Sequence, residues 1–487
     1  MRQTAMLSST AILVTIVLML SSPGPAVAGQ SRADMLDVPA EYATIALAFA
    51  AATQGDTVRL APGTYYESGL IMPDGILLMS ANWDPYTTVI NGGSTRGTIL
   101  SCYATANAQV YGIGFADGTA GAGGAVYCDG AAVMFDYCVF TGNTAALGGA
   151  IYWTGGTPYI YGCLFEGNTA SSEGGAVYLE LTDGEIAGCS FNMNEAPWGA
   201  GLIMQYLTTT TYVQETRFYA NIASAGGGGT YLDSQAAPTY MQCRFDENEA
   251  PVGAGAYLDT KTEATFISTA FEGNTASTFG AGAYCFDEYT FFDGCEFFSN
   301  TAMSGGGGGI CTYMSDAEVM GSAFIDNTAT YGGGLSIETS SDVLVENCTV
   351  AKNTSDGTMS GAGIFVYDNS HIDLDNSIVA FNVTGESVWL HMFSTGFINC
   401  TCIWDNDGGD WAGDIAPQQT QNGNMTYNPL FCGLDFFDVW LCADSPCLAD
   451  AAENDCGILI GAYDEGCAAC GSPVESTSWG AIKALYR

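Results

Sequence analysis

"FTGNTAALGGAIY", running from Phe140 to Tyr152, decides the fold, because the chain keeps rewriting it. Near copies begin at Phe165 ("FEGNTASSEGGAVY"), Phe271 ("FEGNTASTFGAGAY") and Phe324 ("FIDNTATYGGGLSI"). Two marks hold the repeat in register. An asparagine three residues after an apolar one recurs at Asn143, Asn168, Asn194, Asn221, Asn248, Asn274, Asn300, Asn327, Asn353 and Asn382, with spacings of 25 to 29 residues. A glycine closing each "GGA" or "GAG" recurs at Gly124, Gly149, Gly175, Gly201, Gly229, Gly255, Gly282, Gly309, Gly334 and Gly363. From each such glycine to the next F-x-x-N apolar residue is 15 to 17 residues, whereas asparagine to glycine varies between 6 and 10. One segment of the unit is rigid, and the other is a loop that tolerates insertion.

A fixed period of this size signals stacked units rather than a single compact core. No unit can hold a helix, since glycine, threonine and aromatics interrupt any 3.6-residue apolar period. The rigid segment reads as short strands divided by turn pairs, as in "AVYCDGAAVMFDYCVF" (Ala125 to Phe140) with Asp129-Gly130 between them. A propeller blade needs roughly 40 residues. A unit of about 26 instead suits one coil of a parallel β-helix, in which each strand pairs with its equivalent about 4.8 Å away. The predicted fold is therefore all-β, a parallel β-helix forming a rod on the order of 60 Å long. Stacking turns each recurring position into a column. Asparagine is expected to supply the left-handed backbone of a tight corner and a hydrogen-bonded amide ladder. Cys138, Cys163, Cys189, Cys243, Cys295 and Cys348 stand two residues before the F-x-x-N apolar residue, and Thr216, Thr269, Ser322 and Ser377 take that place elsewhere. A column mixing these types reads as buried small residues, not disulfides.

Composition narrows the function. The 487 residues include 63 glycines beside 48% hydrophobic residues, and 52 acidic against 10 basic residues give a net charge of −42. Such a field repels nucleic acid and acidic polysaccharides, leaving neutral glycans or surface proteins as expected partners. Residues 1–28 read as a secretory signal: Arg2, then "AILVTIVLML" (Ala11 to Leu20), then Ala26-Val27-Ala28 as an A-x-A cleavage site. The apolar run is too short to span a bilayer, and no later stretch is long enough. Export to the extracellular space or a bacterial cell surface, as a monomer without a transmembrane helix, is the expectation. Eight cysteines crowd the far end. Cys432, Cys442, Cys447, Cys456, Cys467 and Cys470 follow Cys400 and Cys402. In an exported chain the last six read as a disulfide framework whose pairing the spacing leaves open. Cys467-Ala468-Ala469-Cys470 also has the C-x-x-C form of a zinc site, but no partner C-x-x-C or histidine follows at ribbon spacing.

The "GGAIY" and F-x-x-N phrases together resemble the repeats of polymorphic outer membrane proteins, bacterial surface β-helices. "YATIALAFAAATQGDTVRLAPGTYYE" (Tyr42 to Glu67) is similar to the N-terminal cap and first coil of pectate-lyase-like right-handed β-helices. There the resemblance implies an amphipathic helix over the first coil, with strands at Gly55 to Val58 and Ala61 to Tyr65. "NPLFC…SPCLAD…LIGAYDEGC" resembles the last coil of secreted bacterial β-helix proteins. The residues and the right-handed helix that the resemblances imply together divide the chain into a leader (1–28), an N-terminal helical cap and first coils (34–100), repeats (101–430), a Cys-rich terminal coil or cap (431–470) and a tail (471–487). That tail reads as a sorting signal or a linker stub, too short for the membrane barrel of polymorphic outer membrane proteins.

No catalytic residues are identified. Arg59, Arg96, Arg217, Arg244, Lys261 and Lys352 read as scattered, with no cluster at matching coil positions of the kind a lyase base requires, and His371 and His391 read as ordinary surface or packing residues. The N-T-D, D-D, G-H-G and R-I-K motifs of polygalacturonase-type hydrolases are absent, as are G-x-S-x-G and H-E-x-x-H. Asp233 and Asp259 occupy matching places one coil apart. The leading binding candidate is aromatic: Tyr127, Tyr152 and Tyr178, then Tyr231, Tyr257 and Tyr284, would stack into a flat platform for sugar rings. "DNDGGD" places Asp405, Asp407 and Asp410 in a loop of calcium-like composition that lacks the EF-hand frame, so calcium is the one cofactor considered. The reading is an exported adhesion, structural or glycan-binding β-helix; the alternative is a polysaccharide lyase or glycoside hydrolase on the same scaffold.

Overall fold

The computed structural model describes residues 33–93, 97–207, 211–356 and 360–470; the expected leader (1–28) and tail (471–487) lie outside them. The chain winds into a stack of parallel coils, of which the complete ones have four short strands. In one coil these are Ile151–Gly156 (sheet 1), Tyr159–Tyr161 (sheet 2), Leu164–Glu166 (sheet 3) and Thr169–Glu173 (sheet 4). Every strand pairs in parallel with its equivalent in the next coil, so Phe140 lies over Phe165 and Phe191 over Phe218. Sheets 1 and 2 join along Val126–Asp136 into one 27-stranded sheet, while sheet 3 has 14 strands and sheet 4 has 9. Helix α1 (Ile45–Ala51), capped by the Thr44 hydroxyl, buries Ile45, Ala48 and Phe49 against the first coil.

Like residues stack as the repeat predicts. The phenylalanine column of sheet 3 runs unbroken from Phe115 to Phe324, with ring centroids 4.7 to 5.1 Å apart and planes within 13°. The asparagine amides are fully buried. From Asn168 onward each Asn Oδ1 accepts from both the backbone N–H and the Nδ2 of the previous rung, while Asn143 Oδ1 accepts from Gly118 N. In the middle, Asn221 N and Nδ2 lie 3.1 and 3.0 Å from Asn248 Oδ1. Asn248 Nδ2 in turn donates to Phe218 O at 3.0 Å and to Asn274 Oδ1 at 2.9 Å. All four hydrogen-bonding positions of the amide are used, which is what makes its burial tolerable.

The left-handed backbone, however, does not belong to the asparagines. It belongs to the residue before each of them: Gly142, Met193, Ala220, Glu247, Ser299, Asp326 and Lys352 all have φ between 51° and 63°. Asparagine is needed for its amide, and the preceding position carries the strain whatever its side chain. The cysteine corner is built alike. Tyr137, Glu215, Gln242 and Ser268 are left-handed, and the small residue after each turns inward. Cys138 N donates to Cys163 Sγ at 3.4 Å, Cys189 N to Thr216 Oγ1 at 3.3 Å, and Cys295 N to Ser322 Oγ at 3.0 Å. Cys, Thr and Ser interchange because each supplies one acceptor and one donor. Burial pushes the Cys243, Cys295 and Cys348 thiols up to about 12, so they remain unreactive. A third ladder, unforeseen from the repeat, runs through Ser315, Ser341 and Ser370 at the corner between sheets 1 and 2. At the glycine corner the roles divide between neighbours: Gly148 takes φ 58°, while a Cβ on Gly149 would press into the carbonyl of Gly175.

Residues 431–470, expected as a terminal coil or cap, do not extend the stack. They form a separate three-stranded sheet (Phe431–Gly433, Asp438–Cys442, Glu465–Cys467) laid along the outer face of sheet 3. Phe431, Val439, Leu441, Leu448 and Ile460 pack on outward-facing Ala323, Ile325, Ala351, Ile378 and Ala380. This strap reaches back to Glu296, whose carboxylate accepts from the Tyr463 hydroxyl at 3.0 Å. The open edge of the last coil is closed instead by the turn Gly413–Gln418. Its Gln418 accepts from Ile398 N and donates to Gly396 O, and Ile415 is buried. The bridges are Cys400–Cys456, Cys432–Cys467 and Cys442–Cys470. Cys400 thus replaces Cys447, a buried free thiol that packs with Cys402.

Two outcomes follow from the ladders. Asn248→Ala removes four buried hydrogen bonds, and with orphaned groups costing about 1–3 kcal/mol each, urea denaturation should show a loss of about 3–6 kcal/mol. Glu288 occupies a rung of the third corner, its N–H on Ser315 Oγ, and its Oε2 has no partner among the described residues. Burial pushes its carboxyl up to about 8, well above an unfolded value near 4.5. The folded state therefore holds a proton that the unfolded chain releases, and stability falls as pH rises from about 4.5 to 8. Glu288→Gln should melt higher than the parent at pH 8, the gap closing towards pH 4.5; a gap independent of pH would contradict this.

Candidate binding groove

Sheet 1 presents the six tyrosines outward in one column. Tyr127 pairs in register with Tyr152 and Tyr152 with Tyr178; Ile203 interrupts; then Tyr231, Tyr257 and Tyr284 follow. The strands of sheet 4 fold over this column and face it with Leu147, Glu173, Trp198 and Gly226. A groove results along the rod, filled at its centre: Tyr178, Ile203 and Tyr231 are buried, with Trp198 and Tyr257 packed against them. Gly226 is required here, since a Cβ would lie 2.6 Å from the Tyr257 ring and 2.8 Å from Trp198.

The flat platform forms only in part. Tyr127, Tyr152 and Tyr178 stack at 5.5 and 5.1 Å with planes 17° and 25° apart. Tyr231, Tyr257 and Tyr284 instead meet edge to face, at 66° and 79°. Hydroxyls are committed inside the protein. Tyr152 donates to Glu180 Oε2 at 2.8 Å, Tyr178 to Gln205 Oε1 at 3.0 Å and Tyr231 to Asp259 Oδ2 at 2.7 Å. Burial pushes all three phenols well above their ordinary range, so they remain donors. Asp259 also accepts from Thr260 N and Oγ1, and so serves as a turn acceptor. On the facing wall the Glu173 carboxyl is raised, first by burial and then by the charges of Asp233 and Glu180.

The groove opens where sheet 4 begins. A hollow of about 630 Å³ is bordered by Thr98, Ser101, Tyr103, Thr119, Gly121 and Tyr127. The Tyr103 and Tyr127 rings lie 5.9 Å apart, tilted by 47°. Its described lining residues offer hydroxyls, backbone groups and two aromatic faces, with no ionised side chain. A second, smaller hollow of about 240 Å³ on the outside of sheet 2 is acidic, with Tyr289, Asp316, Glu318 and Asp342 around it.

The remaining candidates lie elsewhere. Asn406 adds a rung to the asparagine ladder, accepting from Asn382 N and Nδ2 at 3.1 and 2.8 Å. Asp410 closes the series: its Oδ1 accepts from Asn406 N and Nδ2, both at 2.9 Å, and its Oδ2 from Asp405 N at 3.2 Å. Asp407 turns away to Thr384 N, 3.3 Å off. Asp405, Asp407 and Asp410 therefore do not converge as a ligand set, and the only metal-type groupings among the described residues are of cysteines, one with Asp444. Arg217 and Arg244, read as scattered, are in fact in register on adjacent coils of sheet 3. Both bind the buried Asp246, at 2.6 and 3.1 Å, and Arg244 also binds Glu272 at 2.7 Å. Burial lowers the Arg244 pKa, but hydrogen bonds to Asp246 and Glu272 outweigh it and hold the guanidinium charged, unsuited to abstracting a proton. The shared position, one residue before the phenylalanine in "TRFYAN" and "CRFDEN", was the available sequence signal. His371 bonds Thr395 and Asp373, and His391 packs between Tyr367 and Trp389.

A stack of parallel coils with a walled groove on one flank defines a right-handed parallel β-helix scaffold. Two overlapping stretches, residues 98–271 and 250–402, match the family described as right handed beta helix region, and the chain belongs to that family. No curated protein matches it. Among the described residues no helix is long and apolar enough to cross a membrane.

Tyr231→Phe keeps the packing but deprives Asp259 of its phenolic donor. A hydrogen bond to a charged group contributes about 1.5–3 kcal/mol, so urea denaturation should show a loss in that range.

Proposed function

We propose that this chain is an exported β-helix that works at or beyond the cell surface as an adhesion or structural protein, binding a neutral saccharide in the hollow beside Tyr103 and Tyr127. The observation that carries the reading is the chemistry of that hollow: aromatic faces for the apolar side of a sugar ring, hydroxyls and backbone groups for its rim, and no charged described lining residue. A net charge of −42 favours uncharged over acidic glycans. Export is supported by the leader-like residues 1–28 and by three disulfides. A monomer is the working state, with neither nucleic acid nor membrane lipid as partner, and calcium plays no part in the reading.

A second reading, a carbohydrate-active enzyme on the same scaffold, has one observation in its favour. The raised Glu173 carboxyl faces the charges of Glu180 and Asp233 across the groove, as a general acid beside a carboxylate would. A glycan array followed by calorimetry and a reducing-sugar assay separates the two. The binding reading expects saturable affinity for a neutral glycan, abolished by Tyr103→Ser with Tyr127→Ser, and no sugar release. Release of reducing ends that Glu173→Gln abolishes would establish the enzyme instead.

A further inference from the structure

We propose that Cys432, Cys442, Cys467 and Cys470 form a tetrathiolate site for one divalent ion of the zinc class, the Cys432–Cys467 and Cys442–Cys470 bridges being the oxidised form of the same sulfur cluster. The strap brings these residues together from three strands. Cys432 and Cys442 lie on the antiparallel pair Phe431–Gly433 and Asp438–Cys442. Cys467 is the register partner of Cys442 on the third strand, Glu465–Cys467, and Cys470 follows in the C-x-x-C turn. The turn is held in place by Cys470 N donating to Asp444 Oδ1 at 2.8 Å.

The two bridges meet at Cys442. Those of Cys432, Cys442 and Cys467 all lie within 4.8 Å of one another, and Cys442, Cys470 and the Asp444 carboxylate form a second such set sharing Cys442. Across the two bridges, Cys442 Sγ and Cys467 Sγ are 3.5 Å apart. A tetrahedral zinc ion with Zn–S bonds of about 2.3 Å places its sulfurs about 3.8 Å apart, close to the Cys442–Cys467 separation, and Cys470 joins the other three by swinging in from its place beside Asp444. Cys400–Cys456 provides the internal contrast, for no third thiol or carboxylate joins it among the described residues. Three of the four cysteines are only partly buried, which leaves an entry path for the ion.

The chemistry balances with an external reductant. A phosphine or dithiol delivers two electrons to each disulfide, and with two protons per bridge four thiols result. A divalent ion then displaces the four thiol protons and forms four metal–sulfur bonds, giving a complex of charge −2. Either form ties Cys432 and Cys442 to Cys467 and Cys470, so the strap can hold its fold in a reducing compartment before bridges form.

The test uses the full chain, reduced anaerobically with a phosphine, freed of excess reagent and titrated with cobalt(II). The expected result is one cobalt per chain with thiolate-to-cobalt charge-transfer bands and tetrahedral d–d bands, displaced by one equivalent of zinc. Cys442→Ser with Cys467→Ser should abolish these bands, while Cys400→Ser with Cys456→Ser should retain them. Far-UV circular dichroism reports whether the coils remain folded in each variant. The proposal is overturned if the reduced chain gives no tetrahedral spectrum, if the Cys442/Cys467 variant gives the same one, or if the oxidised chain retains as much metal as the reduced chain.

Discussion

The buried amide column, from Asn143 through Asn382 to Asn406, sets the terms for the rest of the molecule. A polar side chain in a dry interior is stable only when each donor and acceptor is met. An asparagine between two others in register satisfies all four positions, two along the ladder and two to backbone groups. The same demand fixes the spacing between coils, because a rung displaced by a fraction of a strand separation loses bonds on both sides. Identical neighbours are therefore required of each coil, and the repeated phrase is the chemical record of that requirement. The series ends on Asp410, whose carboxylate accepts what one more amide would have accepted.

Register imposed at the corners passes to the surface. Because Asn and Phe columns are straight, the outward tyrosines of sheet 1 are also aligned, and sheet 4 closes over them into a groove. That closure converts an aromatic column into a packed seam over Tyr178, Ile203 and Tyr231 and leaves it open at Tyr127. The hollow thus sits where the seam is incomplete, at the first strands of sheet 4. The strap performs an analogous task on sheet 3, covering an outer face that would otherwise expose alanine and isoleucine to water.

Much of this was legible in the sequence, for one reason: a column in space is a period in the text. The phenylalanine, asparagine and cysteine ladders and the coil length all follow from spacing, and the N-terminal helix from the resemblance of Tyr42 to Glu67 to a known cap. What escaped was information without a fixed residue type. The left-handed position before each rung is occupied by Gly, Met, Ala, Glu, Ser, Asp, Lys or Phe, so composition hides it. The strap's docking face was written in a shift from "RFY" and "RFD" to "AFI", "TVA" and "IVA", where both sides of a sheet 3 strand become apolar. Tyrosine spacing showed alignment but not the facing strand that buries the central rings. Disulfide partners depend on how the strap folds back, which no spacing encodes, and Cys400 was thereby left out of the framework. Asp405 to Asp410 has the composition of a calcium loop, and its part in ending the ladder shows only in the position of Asn406.

Hydrogen exchange of the side-chain amides addresses the ladder most directly. In protein labelled with nitrogen-15 at asparagine alone, the Nδ2 protons of the central rungs, such as Asn221, Asn248 and Asn274, should resist exchange with deuterated water nearly as long as the strand N–H groups beside them. Exchange of those protons at the rate of a free asparagine amide, while the strand N–H groups stay protected, would contradict the account.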